Sequence, residues 1–315
     1  MDISPLISRV ARGKNGSQNL TQQEATLVFD QLLAVDADEL QLGAFLIAQR
    51  MKGECSDELA GFVEAARLHM DGFGTTVAPA GAVDLPCYAG KRRAGHAYLV
   101  AALQARDAGI PVFVHGVEAI DGRITAWQVL RDAGVQRAGS LVEAADLLAA
   151  DGIVYTDLAE LCPDLMRIYG LRPRLGVRSF ANSVARLLNP LRCAGQLNGF
   201  FHTPYADYMA GANTLLGQNR SLIFMGAEGE PELYADRQKV VVKQQGDQIS
   251  RISFAEAGLL PYPKEVMDLN LLHKESITML HKPLEGREAV VVARMLEAMN
   301  WASSGEFPDG WREEE

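Results

Sequence analysis

Two short stretches of this 315-residue chain carry the residues best suited to chemistry. The first is Asp84-Leu85-Pro86-Cys87-Tyr88-Ala89-Gly90-Lys91-Arg92-Arg93, in which three consecutive cations follow a glycine. The second is Leu171-Arg172-Pro173-Arg174-Leu175-Gly176-Val177-Arg178-Ser179, with three arginines in seven residues. A guanidinium fork suits carboxylate and phosphate equally, so an anion is the natural ligand for both stretches. For the first, a phosphate or a nucleic-acid backbone is the ligand to consider first. Arg131 adds a further cation, and Tyr88 and Tyr98 offer rings on which unpaired bases stack. The competing reading is that a charge cluster is a solvated face or is paired with nearby acids, and that Tyr98 belongs to the core. His115-Gly116 closes the next apolar run. A lone histidine after a strand serves either as a satisfied structural residue or as an acid–base group.

The elements around these residues explain how they would be placed. A short apolar run, a Gly-containing loop, a helix over 99–108 and a second apolar run read as β-loop-α-β. In an open α/β sheet, ligands gather outside the carboxyl ends of the strands. The loops 87–93 and 115–122 should therefore face one crevice. Upstream, residues 2–70 read as helices. Ile3, Leu6, Ile7 and Val10 have helical spacing, and Thr21-Gln22-Gln23-Glu24 is a capping box. Residues 71–82 are rich in Gly, Thr and Pro and read as a hinge. Helices are expected over 124–134, 141–149 and 206–216, with strands at 152–155, 197–201, 221–225, 239–243 and 248–253. A terminal helix is expected over 284–301 and a polar tail over 307–315. This alternation predicts a largely parallel sheet covered by helices.

Bulk properties set limits. The hydrophobic fraction is 48%, the net charge −10 and the pI near 5.2. These values describe an ordinary globular chain and argue against a generally basic nucleic-acid binder, while leaving room for a local basic groove. Cys55, Cys87, Cys162 and Cys193 lie far apart with no Cys-x-x-Cys pair, which argues against zinc. With no secretory leader read at the start, a reduced cytoplasmic setting is expected. No apolar run approaches the ~20 residues needed to cross a bilayer, so no membrane partner is expected.

The frame resembles the anthranilate phosphoribosyltransferase (TrpD) family. Its Gly-Thr-Gly-Gly-Asp loop falls on Cys87-Tyr88-Ala89-Gly90-Lys91, its Asn-x-Ser-Thr on His96-Ala97-Tyr98-Leu99, and its Lys-His-Gly-Asn on Val114-His115-Gly116-Val117. Residues 42–54, with Glu58-Leu59-Ala60-Gly61-Phe62, resemble the family's helical domain. Arg172 to Ser179 resembles Arg-x-x-Leu-Gly-x-Arg-Thr, and Leu187-Leu188-Asn189-Pro190 its Leu-x-Asn-Pro ending. The resemblance implies an α/β fold of the nucleoside phosphorylase/phosphoribosyltransferase kind. A small helical dimerisation domain would span 1–72, joined by a returning segment at about 169–190. A larger, mostly parallel-sheet α/β domain would span 73–315. It implies a homodimer, although helices packed only within one chain would read the same way. By position, Arg172 inherits the family's contact to the anthranilate carboxylate.

The family's chemistry is poorly kept. Of the loop glycine pair, Gly90 remains, and the loop acid has become Lys91. Tyr98 and Leu99 replace Ser-Thr, and Asp121-Gly122 and Gln128 to Arg131 fall on Ser-Ser and Asp-x-x-Glu. The Asp-Glu pair that holds magnesium is Pro231-Glu232. A site with so few carboxylates suits magnesium badly, so no metal or cofactor is expected unless transferase activity persists. The pattern is similar to the YbiB-type branch, associated with nucleic acid. The expected site is then an anion- and nucleic-acid-binding surface of Lys91, Arg92, Arg93, Arg131, Arg172, Arg174 and Arg178. Tyr88 would supply stacking, Gly90 and Gly116 the remnant phosphate loop, and His115 an uncommitted role. Single- or double-stranded DNA or RNA is the expected partner. A glycosyl- or phosphoribosyltransferase with an altered donor or acceptor is the alternative, and a scaffold for a protein partner a third.

Overall fold

The computed structural model describes residues 2–13, 15–201, 205–237, 239–254 and 261–314. Four helices open the chain: α1 (Ser4–Val10), α2 (Gln22–Leu33), α3 (Glu39–Lys52) and α4 (Ser56–Leu68). The Thr21 capping box starts α2 as its sequence predicts. Glu24 N–H donates to Thr21 Oγ1 at 3.3 Å, and Thr21 N–H donates back to Glu24 Oε2 at 2.9 Å. Gly61 in α4 lets α2 approach closely, since a Cβ there would lie 2.3 Å from Gln22 O.

Among the described residues, a nine-stranded sheet follows. Its strands in chain order are β1 (Val83–Cys87), β2 (Val112–Gly116), β3 (Arg137–Ala138), β4 (Ile153–Asp157), β5 (Gly195–Phe200), β6 (Arg220–Met225), β7 (Val241–Gln245), β8 (Gln248–Phe254) and β9 (Trp311–Glu314). The spatial order is β3-β4-β2-β1-β5-β6-β7-β8-β9, parallel from β3 to β6 and antiparallel from there on. β1, β2, β4 and β5 are buried along their whole length, as strands covered on both faces must be. The chain runs from β1 to β2, out to the edge strand β3, back to β4 between β3 and β2, and then crosses over to place β5 on the other side of β1. That crossover is a topological switch point, where open α/β sheets form their ligand crevice.

Alternate strand residues face two cores. One face packs Leu85, Val114, Leu197 and Phe224 with α5 (Ala97–Asp107), α6 (Ala126–Asp132), α13 (Leu269–Met279) and α14 (Gly286–Ser304). The other packs Phe113, Val154 and Ile223 with α7 (Leu141–Asp151), α12 (Tyr205–Leu215) and the N-terminal helices. Between them run α8 (Leu158–Leu161), α9 (Pro163–Tyr169), α10 (Arg172–Leu175) and α11 (Ala181–Leu187). Phe180, at the start of α11, joins the helical bundle. It stacks on Phe62 with centroids 4.2 Å apart and meets Phe29 and Phe45 edge-on at 5.0 and 5.9 Å.

Most expected elements are present with ends shifted by one to three residues. One expectation is corrected: the stretch 307–315 is not simply a polar tail. β9 pairs antiparallel with β8, and Trp311 is buried with its indole N–H donating to Glu297 at 2.9 Å. A single tryptophan among polar residues hides this strand from periodicity. α13 falls where no element is expected, and the short β3 is also unannounced.

Candidate anion-binding cleft

The loop after β1 turns at Gly90, whose φ of +63° and lack of a Cβ let it lie against Arg123 and Ile124. Gly116 ends β2 where a Cβ would sit 2.2 Å from Cys87 O, so the two strand ends can touch. Around this loop the carboxyl ends of β1, β2 and β6 meet the segment that carries α10. A cavity of about 330 Å³ opens there, lined by Arg92, Arg93, Arg123, Arg172, Arg178, Phe201 and Glu228. It adjoins a second recess of about 560 Å³ that shares Arg172 and Arg178 and is lined also by Tyr88, Ile120, Met166, Tyr169 and Asn182. A third, of about 490 Å³, shares Arg123 and adds Arg131, Gln128 and His273.

Among the described residues, five guanidinium groups therefore line one small cavity together with the Glu228 carboxylate. Like charges gathered in one recess repel one another. Burial, followed by the neighbouring charges of Arg172 and Arg186, holds Arg178 below the usual arginine range. Burial also lowers Arg123, with Glu228 opposing and Arg92 reinforcing the shift. The Nε atoms of Arg92 and Arg93 are buried without a hydrogen-bond partner among the described residues. Buried donors of this kind are satisfied by an anion with several acceptor oxygens.

The structure sorts the expected residues. Arg92, Arg93, Arg172 and Arg178 come together. Arg131 stands at the far recess, half-exposed, and pairs with Asp132 at 3.0 Å. Arg174 points elsewhere: it is exposed and lies 3.5 Å from Glu39 of α3. Lys91 must be removed from the expected surface. It is fully buried, donates to Gly95 O at 2.6 Å and forms an ion pair with Glu232. Tyr88 is also not free to stack on a base, being 2% exposed with its hydroxyl 2.8 Å from His115 Nδ1. Tyr98 belongs to the core. His115 is buried with both ring nitrogens engaged, Nε2 lying 3.2 Å from Asp84. Gln196 Nε2 donates to Asp84 at 2.7 Å, extending this chain of polar groups beneath α11.

Arg123 is the member that sequence reading misses, although it follows the second loop directly. Phe201, 53% exposed at the end of β5, is the aromatic ring at the cavity rim. Magnesium does not fit the acids present. Glu232 is held by the Lys91 ammonium and the Tyr98 amide, and Glu230 by the Ala89 and Gly90 amides. No cluster of three or more His, Cys, Asp or Glu suited to a metal occurs among the described residues.

Residues 4–70 match the glycosyl transferase family, helical bundle domain. An uncharacterized protein of Aquifex aeolicus is 31% identical over 96% of this chain and 91% of its own length. The uncharacterized protein YbiB of Escherichia coli is 29% identical over 76% of this chain and 74% of its own. An anthranilate phosphoribosyltransferase of Methylobacterium nodulans is 30% identical over 80% of this chain and 73% of its own. The crystal structure of anthranilate phosphoribosyltransferase from Thermus thermophilus shares the fold, with a TM-score of 0.78 at 23% identity over 95% of this chain and 89% of that one. Sequence and architecture agree that this chain belongs to the anthranilate phosphoribosyltransferase (TrpD) family and is of the YbiB type.

Proposed function

We propose that this protein is a homodimeric nucleic-acid-binding member of its family, acting without metal or cofactor through the arginine cleft. The supporting observation is the convergence of Arg92, Arg93, Arg123, Arg172 and Arg178 on one cavity. These groups stand at the switch point of the sheet, where the fold places its ligand. Each phosphate neutralised there releases counterions, so binding would weaken steeply with salt. The recessed cavities favour an unpaired strand over a rigid duplex. The net charge of −10 over the whole chain suppresses indiscriminate polyanion binding. The homodimer reading is supported by an exposed apolar stripe on α3. Leu40, Ile47 and Met51 are 82%, 38% and 81% exposed, and exposed Ala44 lies in the same helical row. The test is fluorescence anisotropy with single-stranded DNA and RNA. Binding at low salt that Arg92→Glu with Arg178→Glu abolishes supports the proposal; no binding, or binding unchanged by those substitutions, removes it.

The second reading, a glycosyl- or phosphoribosyltransferase with an altered donor or acceptor, is favoured by the recess of about 560 Å³ that keeps Arg172. Titration calorimetry with phosphoribosyl pyrophosphate and magnesium decides it: saturable heat and turnover of an aromatic amine support it, and flat titrations remove it.

A further inference from the structure

After β6 the sequence Glu228-Gly229-Glu230-Pro231-Glu232 places a carboxylate at every second residue. All three fall on the loop after β1. Glu228 accepts from the amides of Arg92 and Arg93 at 3.1 and 3.0 Å. Glu230 accepts from Ala89 N–H at 3.0 Å and from Gly90 N–H. Glu232 accepts from Tyr98 N–H at 3.3 Å, at the start of α5, and pairs with Lys91. Backbone N–H groups in a tight loop leading to a helix are the donors that elsewhere cradle phosphate. Here the chain's own carboxylates take them.

The seating is built into the backbone. Cβ atoms at Gly199 and Gly226 would lie 2.2 and 1.8 Å from Glu230 O, so the segment folds back through space that those two positions leave empty. Glu228 is held at a φ of +58°, a conformation a side-chain-bearing residue adopts only when its surroundings impose it. Glu230 is fully buried, and its second oxygen has no partner among the described residues.

We propose that Glu230 is a resident occupant of the phosphate loop, excluding phosphate anions from the Ala89 and Gly90 amides and leaving external anions to the arginine cavity. This goes beyond the nucleic-acid reading and does not depend on it, because the probe is inorganic pyrophosphate and the readout is one loop amide. The experiment follows the Gly90 amide by NMR in glycine-labelled protein during a pyrophosphate titration without metal. In the wild-type protein Gly90 is expected to show at most the small shift that anion binding in the neighbouring cavity transmits through Arg123, whose Nη1 donates to Gly90 O at 2.8 Å. In Glu230→Ala it is expected to shift saturably as the anion takes the vacated amides. A wild-type Gly90 shift as large as that in Glu230→Ala, or an unmoved Gly90 in folded Glu230→Ala, overturns the proposal. Should that variant not fold, Glu230→Gln reads the same question, because its uncharged oxygen is more readily displaced. A Gly90 that stays fixed in Glu230→Gln then counts against the proposal as well.

Discussion

At the scale of single residues, burial decides what a charge is for. Lys91 and Arg92 are sequence neighbours, yet one is sealed against Glu232 and the other lines the cavity. Lys91→Met should destabilise the fold by about 3–5 kcal/mol, because it strands the Glu232 carboxylate in the interior. The double variant Lys91→Met with Glu232→Gln should recover part of this loss in urea denaturation; a double variant worse than the sum of the singles would contradict the pairing. Glu24 gives the pH counterpart. Its hydrogen bond to Arg9, with the Thr21 amide second, holds its carboxyl down to about 2. A folded value below the unfolded one of 4.5 means that its stabilisation is complete above about pH 4.5 and is lost as pH falls toward 2. Glu24→Gln, whose amide oxygen keeps the capping box as Gln128 does in α6 but which carries no charge for Arg9, should cost about 0.5–1 kcal/mol at pH 7 and much less near pH 2, as measured by denaturant midpoints. An equal cost at both values would contradict this assignment. The Glu24 cap is legible in sequence because its partner sits three residues away. The pairing of Lys91 with Glu232 is not, because 141 residues separate them.

At the scale of elements, the returning segment ties the two halves together. Phe180 reaches from α11 into the ring cluster of Phe29, Phe45 and Phe62, and Arg67 Nε donates to Leu188 O at 2.9 Å. Phe180→Ala should therefore cost about 3–5 kcal/mol and raise hydrogen exchange in both α4 and α11. Exchange that rises in α11 alone would show that the segment does not support the bundle. The β-loop-α-β unit at 83–116 is readable because buried strands and a single helix leave a clear pattern. β9 is not, because one buried tryptophan beside three exposed residues carries no period. The alternating glutamates after β6 are visible in sequence, but their target on the first loop appears only when β6 lies beside β5 and β5 beside β1.

At the scale of the whole molecule, an acidic body holds a cationic cleft on one edge and an apolar helix stripe on another. If α3 forms the dimer, Ile47→Glu with Met51→Glu should halve the mass seen by light scattering without altering the far-ultraviolet spectrum; an unchanged mass would place the interface elsewhere. Family membership and the two-part architecture were legible from residues 42–54 and 172–190. The composition of the cleft was legible only in part. Lys91 and Arg174 stand near its residues in sequence but not on its wall, Tyr88 borders only the adjoining recess, and Arg123 lies on the wall without belonging to either basic stretch.

The most direct measurement is the salt dependence of single-stranded oligonucleotide binding by wild type, Arg178→Ala and Lys91→Met. The cleft account predicts a steep loss of affinity with salt in wild type. Arg178→Ala should flatten the slope of log K against log salt by about one unit, while folded Lys91→Met leaves it unchanged. A slope insensitive to Arg178, or one that Lys91→Met flattens as much, would contradict it.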